Sequence, residues 1–92
     1  MSQGISRDYE IINQLGLHAR AAAKLVGVSS KFACEVFIQK GQAQVSGKSI
    51  LGVMTLAASK GTTVTVTCNG ADQEAALEAI GALIADRFGE AS

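Results

Sequence analysis

Two periods of apolar and polar residues succeed one another along the chain. In "TTVTVTC", Val64, Val66 and Cys68 alternate with threonines, the period of a strand with one buried face. "CEVFIQ" repeats that period, with Cys34, Val36 and Ile38 on one face and Glu35, Phe37 and Gln39 on the other. A turn at Lys40, Gly41 and Gln42 leads into "AQVSG" and predicts a hairpin. "YEIIN" predicts a short first strand with Tyr9 and Ile11 on a shared face. Between these stretches the spacing turns helical. After a break at Gly16, the positions Ala19, Ala22, Ala23 and Val26 form the apolar stripe of a first helix. "KSILGVMTLAASKG" predicts a second helix with Ser49 as N-cap and Gly61 as stop. Asp72 is the predicted cap of a third, whose stripe is Leu77, Ile80, Ile84 and Phe88.

The predicted order is β-α-β-β-α-β-α. Strands with one apolar and one polar face, joined by amphipathic helices, imply an α+β fold in which helices cover one side of a sheet. The row Thr63, Thr65 and Thr67 is then expected on the solvated side. No proline, repeat or charge block interrupts the pattern, so a single domain is expected over residues 1–92. The composition, 48% apolar and 17% charged, is that of an ordinary globular chain. A domain of this size buries roughly 60 to 65% of its unfolded surface, too little to enclose a substrate, so chemistry is expected on the outside.

Eight basic and eight acidic residues cancel. That balance excludes the electrostatic footprint of a nucleic-acid or anionic-membrane binder and leaves a protein partner as the expectation. No apolar run approaches the ~20 residues of a membrane span, and the start "MSQGISRDYE" does not read as a secretory signal. A cytoplasmic protein without membrane insertion is expected. Cys34 and Cys68 have no CxxC spacing, and one histidine is too few for an ordinary metal site, so neither metal nor cofactor is expected. The cysteines read as small buried hydrophobes rather than as a disulfide between neighbouring strands.

The single histidine, His18, falls at the start of the first helix, with Ala19, Arg20 and Ala21 in the first turn. Backbone N–H groups there lack partners within the helix, and the helix dipole adds partial positive charge, so the spot favours an anion. The same field disfavours imidazolium, which predicts a neutral ring with a free nitrogen. Such a ring suits phosphoryl transfer: it attacks, and amide donors with the Arg20 guanidinium hold the group. A plain surface histidine and a solvated arginine are the blander readings of the same residues.

Ser49 reads first as a helix cap. A phosphate there would add about −1.5 to −2 charge at the helix start and oppose an acidic partner docking on it. Val53 and Leu56 are the predicted core positions of that helix, leaving Ile50, Leu51 and Met54 as an exposed apolar patch, with a fully buried helix as the alternative.

"GLHARAAA" followed by "GKSILGVMTLAASKG" resembles the HPr family, the histidine-containing phosphocarriers of the bacterial phosphoenolpyruvate-dependent phosphotransferase system; the likeness runs from about Ile5 to Phe88. The resemblance implies an open-faced β-sandwich, four antiparallel strands under three helices, with the first strand beside the fourth. It implies that His18 accepts phosphate on its δ nitrogen from enzyme I and passes it to EIIA domains. Arg20 matches the phosphate-stabilising arginine, and Ser49 the site modified by HPr kinase/phosphorylase. The implied docking surface comprises Ala19, Ile50, Leu51 and Met54, on a monomeric, stoichiometric carrier rather than an enzyme. Many members have proline directly after the arginine, where this chain has Ala21; the resemblance then implies a slightly looser phosphate pocket.

Two other readings stay open on sequence. A regulatory phosphotransfer adaptor, in a nitrogen-related or carbon-control branch, keeps the fold and changes only the partner. An acylphosphatase-like hydrolase also suits a one-sided α/β sandwich of this size, although no glycine-rich phosphate loop ending in arginine is present.

Overall fold

The stretch with the cleanest alternation lies inside the sheet. In the computed structural model, which describes residues 4–92, "TVTVTCN" forms a strand at Thr63–Asn69, paired on both sides. The first three positions of the polar start lie outside the described residues. The elements are β1 (Ile5–Glu10), α1 (Ala19–Ser29), β2 (Glu35–Lys40), β3 (Ala43–Ser46), α2 (Ile50–Thr55), β4 (Thr63–Asn69), α3 (Gln73–Ala85) and a 3-10 turn at Arg87–Gly89. The sheet runs β1-β4-β2-β3 with every pair antiparallel. The βαββαβα order and the open four-stranded sheet agree with the sequence reading, as does the first strand beside the fourth.

Register explains which residues form the core. Val36 faces Cys68 and Ile38 faces Val66 across β2 and β4, so one side of the sheet presents a continuous apolar row. That row is fully buried under Leu25, Val53, Leu77, Ile80 and Phe88. At about 25 cal/mol per Å² of apolar surface, each such side chain contributes roughly 1.5–3 kcal/mol relative to exposure. Cys34 and Cys68 are free and buried in the same row; burial first, then the neighbouring Cys34, pushes the Cys68 thiol up to about 11. On the opposite face, Thr67 and Thr65 pair with β1 through Ser6 Oγ (2.7 Å) and Asp8 Oδ1 (2.7 Å). Thr63 is exposed, and the other two threonines are half-buried.

Five expectations are corrected. The first strand is Ile5–Glu10 rather than a strand centred on "YEIIN"; Tyr9 belongs to it, and Ile11 lies just beyond. β1 is an edge strand whose residues are mostly exposed, so its own pattern is weak and its extent follows from pairing with β4. The stripe of α1 is Ala21, Ala22, Leu25 and Ser29 rather than Ala19, Ala22, Ala23 and Val26. An alanine run gives little contrast between faces, and the larger Leu25 sets the rotation.

α2 stops at Thr55, well before Gly61. Ala57 turns the chain out of the helix with φ +50°, and Lys40 Nζ donates to the Leu56 and Ala57 carbonyls at 3.1 and 3.2 Å. A cation from β2 thus occupies the negative end of α2. Asp72 sits at the N-cap position of α3, but its carboxylate makes no cap bond. It accepts instead from the amides of Ala33 (2.8 Å) and Cys34 (2.9 Å), tying the entry of β2 to the start of α3. Those amides, Ala33 first, hold the Asp72 carboxyl below its usual range. The stripe of α3 is Leu77, Ile80 and Ile84 as expected, while Phe88, also buried, lies beyond the helix in the 3-10 turn.

Candidate functional site

The segment from Ile11 to Leu17 fixes the start of α1. Ile11 exchanges hydrogen bonds with the β4 entry, donating to Thr62 O (2.8 Å) and accepting from Gly61 N (2.7 Å). Asn13 is fully buried; its carbonyl accepts from Gly16 N (3.2 Å), and its Nδ2 donates to Gly16 O (2.8 Å). Gly16 adopts φ +68°, and a Cβ there would lie 2.5 Å from Ala58 O. Only glycine combines that backbone with so close an approach. Leu17 then plugs into the core and donates to Ala58 O (2.9 Å), so the loop that follows α2 sets where α1 begins.

His18 is the N-cap, extended at φ −74° and ψ 179°, with Ala22 N donating to its carbonyl (2.8 Å). Its side chain makes no cap bond. The amides of Ala19, Arg20 and Ala21 therefore have no partner from within the helix or from its cap residue. The ring is 28% exposed and turns instead toward the chain end, where Nε2 contacts Glu90 Oε2. Among the described residues no hydrogen bond is made by Nδ1. Glu90 Oε1 accepts from Asn13 Nδ2 (3.0 Å), and the Asn13 amide, followed by the His18 ring, holds the Glu90 carboxyl below its usual range. At the ring, the negative charge of Glu90 opposes the positive end of α1, a contribution absent from the sequence reading.

The chain end is tied down on both sides of Glu90. Lys24 Nζ donates to Phe88 O (2.6 Å), and Gln14 N donates to Ser92 O (3.0 Å). A pocket of about 830 Å³ results, lined among others by Leu15, His18, Ala19, Arg20, Lys24 and Glu90. It gathers the histidine, the arginine and Ala19, all three named from sequence. Ser49, Ile50, Leu51 and Met54 do not line it. They belong to α2 and its N-cap, where Ser49 Oγ accepts from Gly52 N (3.0 Å) as the expected cap. Leu51 is 74% exposed, Ile50 44% and Met54 38%, while Val53 and Leu56 are buried, the division read from sequence.

Three site residues escaped the sequence reading. Leu15, 67% exposed beside the pocket, adds to the apolar surface. Asn13, just ahead of the Gly16 turn, carried a turn signal but no sign of burial. Glu90 is 72 positions from His18 and past the last periodic residue, so no local pattern reveals it. Among the described residues, no group of three or more His, Cys, Asp or Glu side chains is placed to hold a metal ion, and no helix is long and apolar enough to cross a membrane.

Comparison with known proteins bears on the family and the fold. The family described as "PTS HPr component phosphorylation site" matches residues 5–86. Phosphocarrier protein HPr of Cupriavidus necator is 51% identical over 86 residues, covering 94% of this chain and 97% of the relative. Phosphocarrier protein NPr of Shewanella violacea is 44% identical over 88 residues, covering 96% and 97%. The crystal structure of HPr-C-His from Thermoanaerobacter tengcongensis superposes with a TM-score of 0.92 at 40% identity, over 96% of this chain and 99% of that one. With the fold and the span of the match in accord, the chain belongs to the HPr family of phosphocarrier proteins of the phosphotransferase system.

Proposed function

We propose that this chain carries one phosphoryl group at a time on His18, taking it from phosphoenolpyruvate-charged enzyme I and giving it to EIIA domains. Residues 1–92 act as a single carrier domain in the cytoplasm, without turnover of a substrate of their own. The observation that carries the reading is the His18 ring at the start of α1, engaged through Nε2 and leaving Nδ1 and the first-turn amides uncommitted. In the transfer, the Nδ1 lone pair forms a bond to phosphorus, and the bond to the donor breaks with its electron pair leaving on the donor. The exposed Arg20 guanidinium and the open amides receive the phosphoryl oxygens. Each such contact is worth about 1–2 kcal/mol at a partly exposed site, enough to stabilise a carrier state and weak enough for onward transfer.

Leu15, Ala19, Ile50, Leu51 and Met54 form the docking surface in this reading, with the methionine adapting to successive partners. Ser49 is the regulatory site, modified by HPr kinase/phosphorylase, where added negative charge opposes an acidic partner.

Incubation with phosphoenolpyruvate and enzyme I is expected to place a single acid-labile phosphoryl group on the protein, absent from His18→Ala. An acid-stable label, or labelling of His18→Ala, overturns the reading. Ser49→Asp is expected to slow that transfer, and an unchanged rate removes the regulatory role from Ser49. Because a relative named NPr matches about as well as those named HPr, a regulatory branch that does not feed sugar uptake is the second reading. Pull-downs with the phosphorylated chain distinguish the two by the EIIA domain recovered.

A further inference from the structure

We propose that Glu90 is a positioning residue for phosphoryl transfer: held by Asn13, its carboxylate fixes the proton on Nε2 of His18 and thereby makes Nδ1 the nucleophile. The inference rests on the carrier reading and adds to it the group that selects the reacting nitrogen.

An ionised carboxylate accepts hydrogen bonds and donates none. Oε1 of Glu90 is occupied by the Asn13 amide, and Oε2 meets His18 Nε2, so the ring nitrogen in that contact is the one bearing hydrogen. In a neutral imidazole the other nitrogen then holds the lone pair. Nδ1 is that nitrogen. When it takes the phosphoryl group, the Nε2 proton stays in place and the ring becomes positively charged. The adjacent carboxylate offsets the charge where it develops. On the return step the N–P bond breaks, its electron pair returns to Nδ1, and the starting tautomer is restored without any proton transfer to solvent.

The carboxylate is built into place. Phe88, fully buried, anchors the chain beyond α3, while Arg87 and Phe88, both at φ +56°, turn it back toward the start of α1. Backbone in this region is costly for non-glycine residues and persists where packing enforces it. Lys24 and Gln14 fasten the segment on either side of Glu90. Asn13, whose Nδ2 bridges Gly16 O and Glu90, links the carboxylate to the turn that places His18. Its Oδ1 is buried without a partner, so the side chain acts here through its two donated bonds.

Glu90→Gln tests this with little change of shape. The amide oxygen can still accept from Asn13, but the NH2 then faces Nε2 and favours the tautomer with hydrogen on Nδ1. The 15N shifts of the neutral His18 ring are expected to show hydrogen on Nε2 in the starting protein and on Nδ1 in Glu90→Gln. Transfer from enzyme I is expected to fall by roughly tenfold or more, as reversed tautomers do in carboxylate–imidazole pairs. Glu90→Ala, which imposes no tautomer, is expected to be slowed less than Glu90→Gln. A starting protein with hydrogen on Nδ1, or Glu90→Gln transferring at the unaltered rate, overturns the proposal. If the unaltered protein accepts no phosphoryl group at all, the carrier reading fails and this role falls with it. Labelling at normal rates in both proteins removes Glu90 alone.

Discussion

The starts of α1 and α2 solve the same problem in opposite ways. At α2 the N-cap Ser49 closes on its own helix through the Gly52 amide. At α1 the N-cap His18 leaves the helix uncapped and turns to a carboxylate from the far end of the chain. The hydroxyl is self-sufficient, and its helix start becomes an anion site only if the residue itself is modified. The imidazole depends on distant groups, and the amides beside it stay uncommitted. A helix terminus can therefore be closed for stability or left open for chemistry, and the cap side chain makes the difference.

The largest effect that breaks this contrast comes from the turn beneath His18. Gly16→Ala places a methyl against Ala58 O in left-handed backbone and is expected to cost about 2–3 kcal/mol in urea unfolding. It should displace the start of α1 while leaving the Ser49 cap in place; amide exchange confined to α2 instead would contradict that. The caps themselves come next. Ser49→Ala is expected to lose about 1 kcal/mol, the usual worth of a serine cap. His18→Ser is expected to exceed His18→Ala by about the same amount, because a hydroxyl can accept from the open amides, and neither variant accepts phosphate. Equal unfolding midpoints for those two variants would mean that the amides of α1 are already satisfied.

The smallest effect concerns Asp72, the N-cap residue that serves a neighbouring strand. Its carboxyl lies below the ordinary aspartate value of 3.8 in the folded chain. The stabilisation is present above that value and lost as pH falls through the lower folded one. Asp72→Asn is therefore expected to melt at a lower temperature than the parent near neutrality, with the gap narrowing in acid. A gap independent of pH would place its role elsewhere.

Where one period dominated a segment, the sequence could be read directly. Val64, Val66 and Cys68 in β4, and Val36 and Ile38 in β2, alternate because both strands lie inside a sheet with one face buried. Ser49 was legible as a cap because a serine ahead of an apolar run meets an immediate local need. β1 was misplaced because an edge strand carries few buried residues, and the alanine stripe of α1 because identical small side chains do not mark a face. Gly61 was the wrong end for α2, since the actual stop depends on Lys40, a residue of another element. Asp72 has the identity of a cap and the position of one, yet two amides of the β2 entry held its carboxylate more favourably than its own helix did.

By itself the sequence determined the alternation of strands and helices, the buried row of the sheet, and a histidine beside an arginine at a helix start, because each depends on residues a few positions apart. Tertiary structure alone decided how α1 is rotated, where α2 ends and which group addresses the His18 ring. Those outcomes rest on contacts between distant segments, and side chains 72 positions apart leave no periodic trace of their meeting.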